Sequence, residues 1–130
     1  MSDRPSTGSP LQGRRILVVE DEALVSMILE DFLANFGCEI VGPATRLKKA
    51  IELASVVIVD GALLDLNVGG EMVYPVARIL SDRGIPFAFV TGYTATWVSE
   101  TYRERPMLQK PFHSEKLREI LTLMLSQSTH

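Results

Sequence analysis

Apolar positions fall into two kinds of run along this chain. Arg15-Ile16-Leu17-Val18-Val19 is continuous, of strand length, and stops abruptly at Glu20-Asp21-Glu22. A run without polar alternation marks a strand buried on both faces, as in a parallel sheet. From Ala23 to Phe36, the residues Leu24, Met27, Ile28, Phe32 and Phe36 recur at helical spacing, and Gly37 supplies the stop. Cys38 to Val41 reads as a second strand closed by Gly42-Pro43. Thr45 to Ala54 reads as a second helix, with Leu47, Ala50, Ile51 and Ala54 on one face. A third strand is expected over Gly61 to Leu64, after a connection from Ser55 to Asp60. The third helix spans Glu71 to Arg83, provided that Pro75 falls in its first turn. Pro86 to Val90 and Met107 to Gln109 complete the strands, and Ser114 to Leu125 forms the last helix, with Ser114 as N-cap. Thr94 to Glu104 is polar, aromatic and weakly periodic, a short helix or an irregular loop.

Strand and helix alternate five times. That alternation predicts right-handed crossovers and a doubly wound, five-stranded parallel sheet with helices on both faces. Ligands of such sheets sit at the carboxyl ends of the strands. Here those ends carry Glu20-Asp21, Asp65, Thr91 and Lys110. Taken singly, each has an ordinary reading: acids cap helices, Asp starts turns, Thr-Gly is a turn, and Lys-Pro ends a surface strand. The conjunction is what argues for chemistry. Three carboxylates, a hydroxyl and an ammonium converge on one rim, where the carboxylates repel unless a cation sits among them. An all-oxygen donor set selects a hard ion, and Mg²⁺ is the natural candidate.

Composition narrows the class without changing this picture. The chain has 130 residues, 46% hydrophobic and 22% charged, which suits one globular domain. A net charge of −3 and a pI near 5.4, with no basic run, argue against a nucleic-acid surface. A lone Cys38 excludes a disulfide framework and fits a reducing compartment. There is no apolar leader and no stretch long enough to span a membrane, so a cytoplasmic location is expected. Residues 1–13 read as a disordered tail, leaving 14–130 as the domain.

The stretches Ile16-Leu17-Val18-Val19-Glu20-Asp21-Glu22, Leu63-Leu64-Asp65-Leu66-Asn67, Thr91-Gly92 and Lys110-Pro111-Phe112 together resemble the receiver domain of bacterial response regulators. That family has the flavodoxin/CheY-like strand order 2-1-3-4-5. Phe89-Val90-Thr91-Gly92-Tyr93 is also similar to the Phe-Ala-Thr-Gly-Tyr signature of the FAT GUY subfamily, with Val90 in place of Ala. Typical receivers carry an aromatic switch residue three positions before the lysine. Met107 stands there, as the subfamily resemblance implies, and a reduced or irregular helix four is expected with it.

The resemblance implies a single-domain regulator that accepts a phosphoryl group from phosphohistidine on Asp65 and switches a protein surface, relays the group or drains it. Such a chain catalyses its own phosphorylation and dephosphorylation without being a conventional enzyme. Mg²⁺ would be held by Asp21 directly, Glu20 mainly through water, Asp65, and the backbone carbonyl of Asn67. Lys110 and Thr91 would contact the phosphoryl oxygens, the Lys110–Pro111 bond would be cis, and Tyr93 would be the moving part in place of the missing aromatic. The implied donors are a histidine kinase, of the HWE type by subfamily, or a histidine phosphotransfer protein, docking near Ser26 to Asp31 and Phe112. A downstream target protein is implied too, since a tail and a receiver leave no length for an output domain.

Two other aspartyl or nucleotide chemistries fit poorly. A haloacid-dehalogenase-like phosphatase needs a second Asp two residues after the first, where this chain has Asn67. A flavodoxin-like protein needs a Ser/Thr/Gly-rich phosphate loop after the first strand, where Glu20-Asp21-Glu22 would repel a phosphate. The alternative function is a pseudo-receiver that binds proteins without phosphorylation. His113 precedes the last helix, His130 is terminal, and neither has metal-ligand spacing. Trp97, Tyr93 and Tyr102 form either a partner patch or loop packing. The kinase, the signal and the target are not legible in the sequence.

Overall fold

The computed structural model describes residues 10–92 and 98–126. In chain order, the elements are β1 (Arg15–Val19), α1 (Ala23–Asn35), β2 (Glu39–Ala44), α2 (Leu47–Val56), β3 (Gly61–Asp65), β4 (Asn67–Val68), β5 (Glu71–Met72), α3 (Tyr74–Asp82), β6 (Phe87–Thr91), β7 (Met107–Gln109) and α4 (Ser114–Ser126). The main sheet is parallel throughout, in the order β2-β1-β3-β6-β7. Leaving aside the small β4–β5 hairpin, this is the 2-1-3-4-5 order.

The continuous apolar runs are explained by helices on both sides of the sheet. Successive side chains of a strand point to opposite faces. Leu17 and Val19, Ala62 and Leu64, and Phe87 and Phe89 join α2 and α3 in one core. Ile16 and Val18, Leu63, and Ala88 and Val90 join α1 and α4 in the other. Phe87 and Phe89 are fully buried, and each such side chain contributes about 1.5–3 kcal/mol relative to exposure.

Helix α1 forms where the sequence places it, but of the expected stripe only Phe32 and Phe36 reach the core, while its N-terminal part faces outward. Ser26, Leu29 and Leu33 are buried, whereas Leu24 is 70% and Met27 61% exposed. The segment is apolar around most of its circumference, so periodicity alone offers two stripes. Seating on the sheet selects the one through Ser26, Leu29 and Leu33, which meets the expected stripe at Phe36. Strand β2 runs further than expected, through Gly42 and Pro43, because an edge strand tolerates a residue without an amide donor. Its register against β1 shifts between Leu17 and Val19. Gly42 has φ +102°, and a Cβ there would lie 2.8 Å from the Val18 carbonyl oxygen, so only glycine fits.

The third helix is shorter than expected. It starts at Tyr74, with Pro75 in its first turn, and the residues before it form the β4–β5 hairpin. Gly69 and Gly70, both at positive φ, make its turn. Between β6 and β7 the described residues form one 3-10 turn, Glu100–Tyr102. Tyr102 stacks on Tyr74 at 5.8 Å and meets Phe87 and Phe89 edge-on, while the Tyr74 hydroxyl accepts a hydrogen bond from the Ser99 amide at 2.8 Å. Tyr102 is therefore packing rather than patch. Tyr93 and Trp97 lie outside the described residues, as do 1–9 of the expected tail and His130. Residues 10–13 form a turn in which Leu11 is 1% exposed. Among the described residues, no helix is long and apolar enough to cross a membrane.

Candidate functional site

The parallel sheet carries its functional groups to one edge because every strand ends there. Glu20 follows β1, Asp65 ends β3, Thr91 ends β6 and Lys110 follows β7. Asp21, Glu22, Asp65, Asn67, Thr91, Gly92 and Lys110 line an open cleft of about 440 Å³. The Lys110 amide donates to the Thr91 carbonyl at 2.8 Å, which ties the last two strand ends together. The Lys110–Pro111 peptide is cis, as is Gly42–Pro43.

Burial differs sharply among the acids. Glu20, Asp65 and Thr91 are buried, and Asp21 is exposed. One oxygen of each of Glu20, Asp21 and Asp65 lies within 4.8 Å of the others. The Lys110 ammonium reaches three carboxylates: Glu22 Oε1 at 2.5 Å, Glu20 at 3.3 Å and Asp65 Oδ2 at 3.5 Å. The Asn67 amide donates to Asp65 Oδ1 at 3.3 Å. The Gly69 amide donates to Asp21 Oδ2 at 2.7 Å, so the hairpin turn holds the exposed acid in place.

These contacts do not offset the burial of Asp65. Desolvation first, then the hydrogen bond and charge of Glu20, push its carboxyl up to about 8, against the smaller opposing pull of Lys110 and the Asn67 amide. Burial alone would lower Lys110. Its hydrogen bond to Glu22 and the charges of Asp65, Glu20 and Glu22 outweigh that and hold it above the ordinary lysine range.

The donor set fits a hard divalent cation. Glu20 Oε1 is buried and accepts no hydrogen bond, although the ammonium lies 3.3 Å away. A buried charged oxygen left without a donor is costly, and a cation among the three carboxylates would relieve both that oxygen and the raised Asp65. The ligands on hand are all oxygen, which suits Mg²⁺ retaining several waters.

The strand-end residues expected from the sequence thus meet at one cleft, except Tyr93, which is not described. Glu22 was not singled out there, yet it is the nearest partner of Lys110; no spacing signal distinguishes it from a helix-start acid. The β4–β5 hairpin was also missed, although Gly69-Gly70 between Val68 and Glu71 is a recognised hairpin signal. His113 accepts the Leu117 amide through its backbone carbonyl, at the start of α4.

A scan against protein-family models finds no match. The fold and sequence do have relatives. SdrG from Sphingomonas melonis Fr1 is 40% identical over 88% of this chain and 98% of its own, with a TM-score of 0.78. Its BeF3-activated conformation is 41% identical over 85% and 95%, with a TM-score of 0.73. A response regulator receiver protein from Sinorhizobium medicae is 27% identical over 91% and 98%, with a TM-score of 0.78. The transcriptional regulatory protein PdtaR of Mycobacterium tuberculosis is 31% identical over 88% of this chain; the chain spans 58% of that protein's length. With the strand order, the strand-end acids and the lysine all in place, the chain belongs to the receiver domains of response regulators.

Proposed function

We propose that this receiver accepts a phosphoryl group on Asp65 in a Mg²⁺-dependent reaction and passes the event on through protein contacts. One observation carries the reading: Asp21, Asp65, Thr91 and Lys110, from four separate strand ends, line a single cleft, with the buried Glu20 carboxylate against Asp21, Asp65 and Lys110. Phosphoryl transfer needs alignment and charge neutralisation more than covalent help. Asp65 supplies the nucleophilic oxygen. Lys110, already within 3.5 Å of it, pairs with a phosphoryl oxygen afterwards. Thr91 lines the same cleft and donates its hydroxyl to the group. Asp21, Glu20 through water, Asp65 and the Asn67 carbonyl would hold Mg²⁺, which when bound neutralises charge on the acceptor and the phosphoryl oxygens. The BeF3-activated form of SdrG supports the reading, because such a group imitates an aspartyl phosphate.

The donor is a phosphohistidine protein, a histidine kinase of the HWE type or a phosphotransfer protein, and the subfamily is FAT GUY. Beside the cleft, Leu24, Val25, Ile28, Pro111 and Phe112 line an apolar groove of about 380 Å³ for that donor. Its Leu24 and Ile28 belong to the stripe that the sequence assigned to the core. Tyr93, two positions after Thr91 in the sequence, is the reporting residue, and a target protein reads the result in the cytoplasm.

Incubation with Mg²⁺ and acetyl phosphate, followed by intact mass measurement, tests the reading. One phosphoryl group is expected on the chain and none on Asp65→Ala. Equal labelling of both, or labelling of neither, would overturn it.

A further inference from the structure

The nearest carboxylate to the Lys110 ammonium is not the phosphoacceptor. Glu22 Oε1 is 2.5 Å away, and Asp65 Oδ2 is 3.5 Å away. The two acids differ in exposure. The Glu22 side chain is 60% exposed and that of Asp65 9%, so Glu22 draws the ammonium toward the rim while Asp65 lies beneath it. The Glu22 backbone is itself pinned, because its amide donates to Glu20 Oε2 at 3.1 Å at the entry to α1. Glu22 and Lys110 also form the wall shared by the acidic cleft and the apolar groove beside it.

We propose that Glu22 is a positioning residue for phosphoryl transfer: it holds the Lys110 ammonium at the rim of the resting chain and yields it to a phosphoryl oxygen as the group reaches Asp65. The inference rests on the reading of Asp65 as phosphoacceptor. In the transfer, an Asp65 oxygen lone pair forms the new O–P bond while the bond from phosphorus to the donor breaks. The bonding pair leaves with the donor, as acetate when the donor is acetyl phosphate. The phosphoryl group then brings more negative charge to Lys110 than one exposed carboxylate does, so the ammonium moves inward. Glu22 opposes transfer before it happens and has no hold on Lys110 afterwards.

Glu22→Gln keeps the shape and removes the charge. Its initial rate of phosphorylation by acetyl phosphate with Mg²⁺, read by intact mass, should rise about two- to fivefold, the range set by a partly exposed ion pair. Hydrolysis of the phosphorylated chain, measured after donor removal, should be unchanged. Glu22→Asp, one methylene shorter but still charged, should fall between the parent and Glu22→Gln. In a Lys110→Met background, Glu22→Gln should give no gain, whether the remaining rate is low or nil. A rate unchanged or slowed by Glu22→Gln would overturn the proposal. So would the same gain without Lys110, which would mean that Glu22 acts on the anionic donor through its charge alone, or a matching change in hydrolysis. An unlabelled parent chain, no different from an Asp65→Asn blank, would remove the phosphoacceptor reading itself, a result distinct from all of these.

Discussion

Strand β3 has an aspartate at each end, and the two live in opposite conditions. Asp60, just before the strand, accepts the Arg15 amide at 2.8 Å and lies 3.5 Å from the Arg14 guanidinium, with its side chain 38% exposed. Asp65, the last residue of the strand, is 6% exposed and shares its surroundings with Glu20 and Asp21. Its carboxyl is pushed up to about 8, by burial first and by Glu20 next. The first aspartate is satisfied by the chain's own groups, as a structural acid is. The second has the Asn67 amide at 3.3 Å and the Lys110 ammonium at 3.5 Å, and these do not offset its burial beside Glu20. That contrast separates a fold-supporting carboxylate from a reactive one more clearly than sequence context does.

Removing the acceptor gives the largest effect. Asp65→Asn should lose phosphorylation entirely while the chain stays folded, as checked by intact mass and circular dichroism. A labelled Asp65→Asn chain would erase the distinction between the two aspartates.

The next effect is on pH dependence. An unfolded Asp65 loses its proton near 3.8, and the folded, metal-free chain retains it to about 8. The folded state therefore binds the proton more tightly, and this group's contribution to stability is full below about 4 and is lost as pH rises toward 8. Thermal unfolding of the metal-free chain should show that loss, and Asp65→Asn should remove it. Mg²⁺ binding must displace the same proton, so affinity measured by calorimetry should rise about tenfold per pH unit below 8 and level off above it. An affinity that stays constant between about pH 6 and 8, with no proton displaced, would count against the buried, protonated acid.

A smaller change should follow from Glu20→Gln. It removes the negative charge that raises Asp65 and replaces the buried carboxylate by a neutral amide. Asp65 should titrate lower by carbon-detected NMR, and Mg²⁺ affinity should fall about 10- to 100-fold, the range for residues that support a metal ligand. Least of all, Asp60→Asn keeps an acceptor for the Arg15 amide and loses only a half-exposed ion pair. It should cost about 0.5 kcal/mol in a denaturant titration and leave phosphorylation unaltered.

Much of the fold was legible because its signals are local. The strand runs at Arg15–Val19 and Gly61–Leu64 are continuous because both faces of the sheet are covered, and Pro75 could only stand in a first turn. The α1 face was not legible. Leu24, Met27 and Ile28 are as apolar as Leu29 and Leu33, and nothing within the segment says which stripe meets the sheet. The hairpin at Asn67–Met72 was written in Gly69-Gly70 but is shorter than any periodicity can register. Its consequence, an amide on Asp21, belongs to chain contacts far apart in sequence.

The sequence by itself determined that Glu20, Asp21, Asp65, Thr91 and Lys110 stand at strand ends, and a parallel sheet requires those ends to share one edge. Only the tertiary structure decided how deep each group lies and which neighbour it faces. Glu20 and Asp65 are enclosed while Asp21 stays in water, and Lys110 leans toward Glu22 rather than Asp65. Burial and proximity arise from all the packed elements at once, and it is these two quantities, not residue type, that set the charge of a carboxylate.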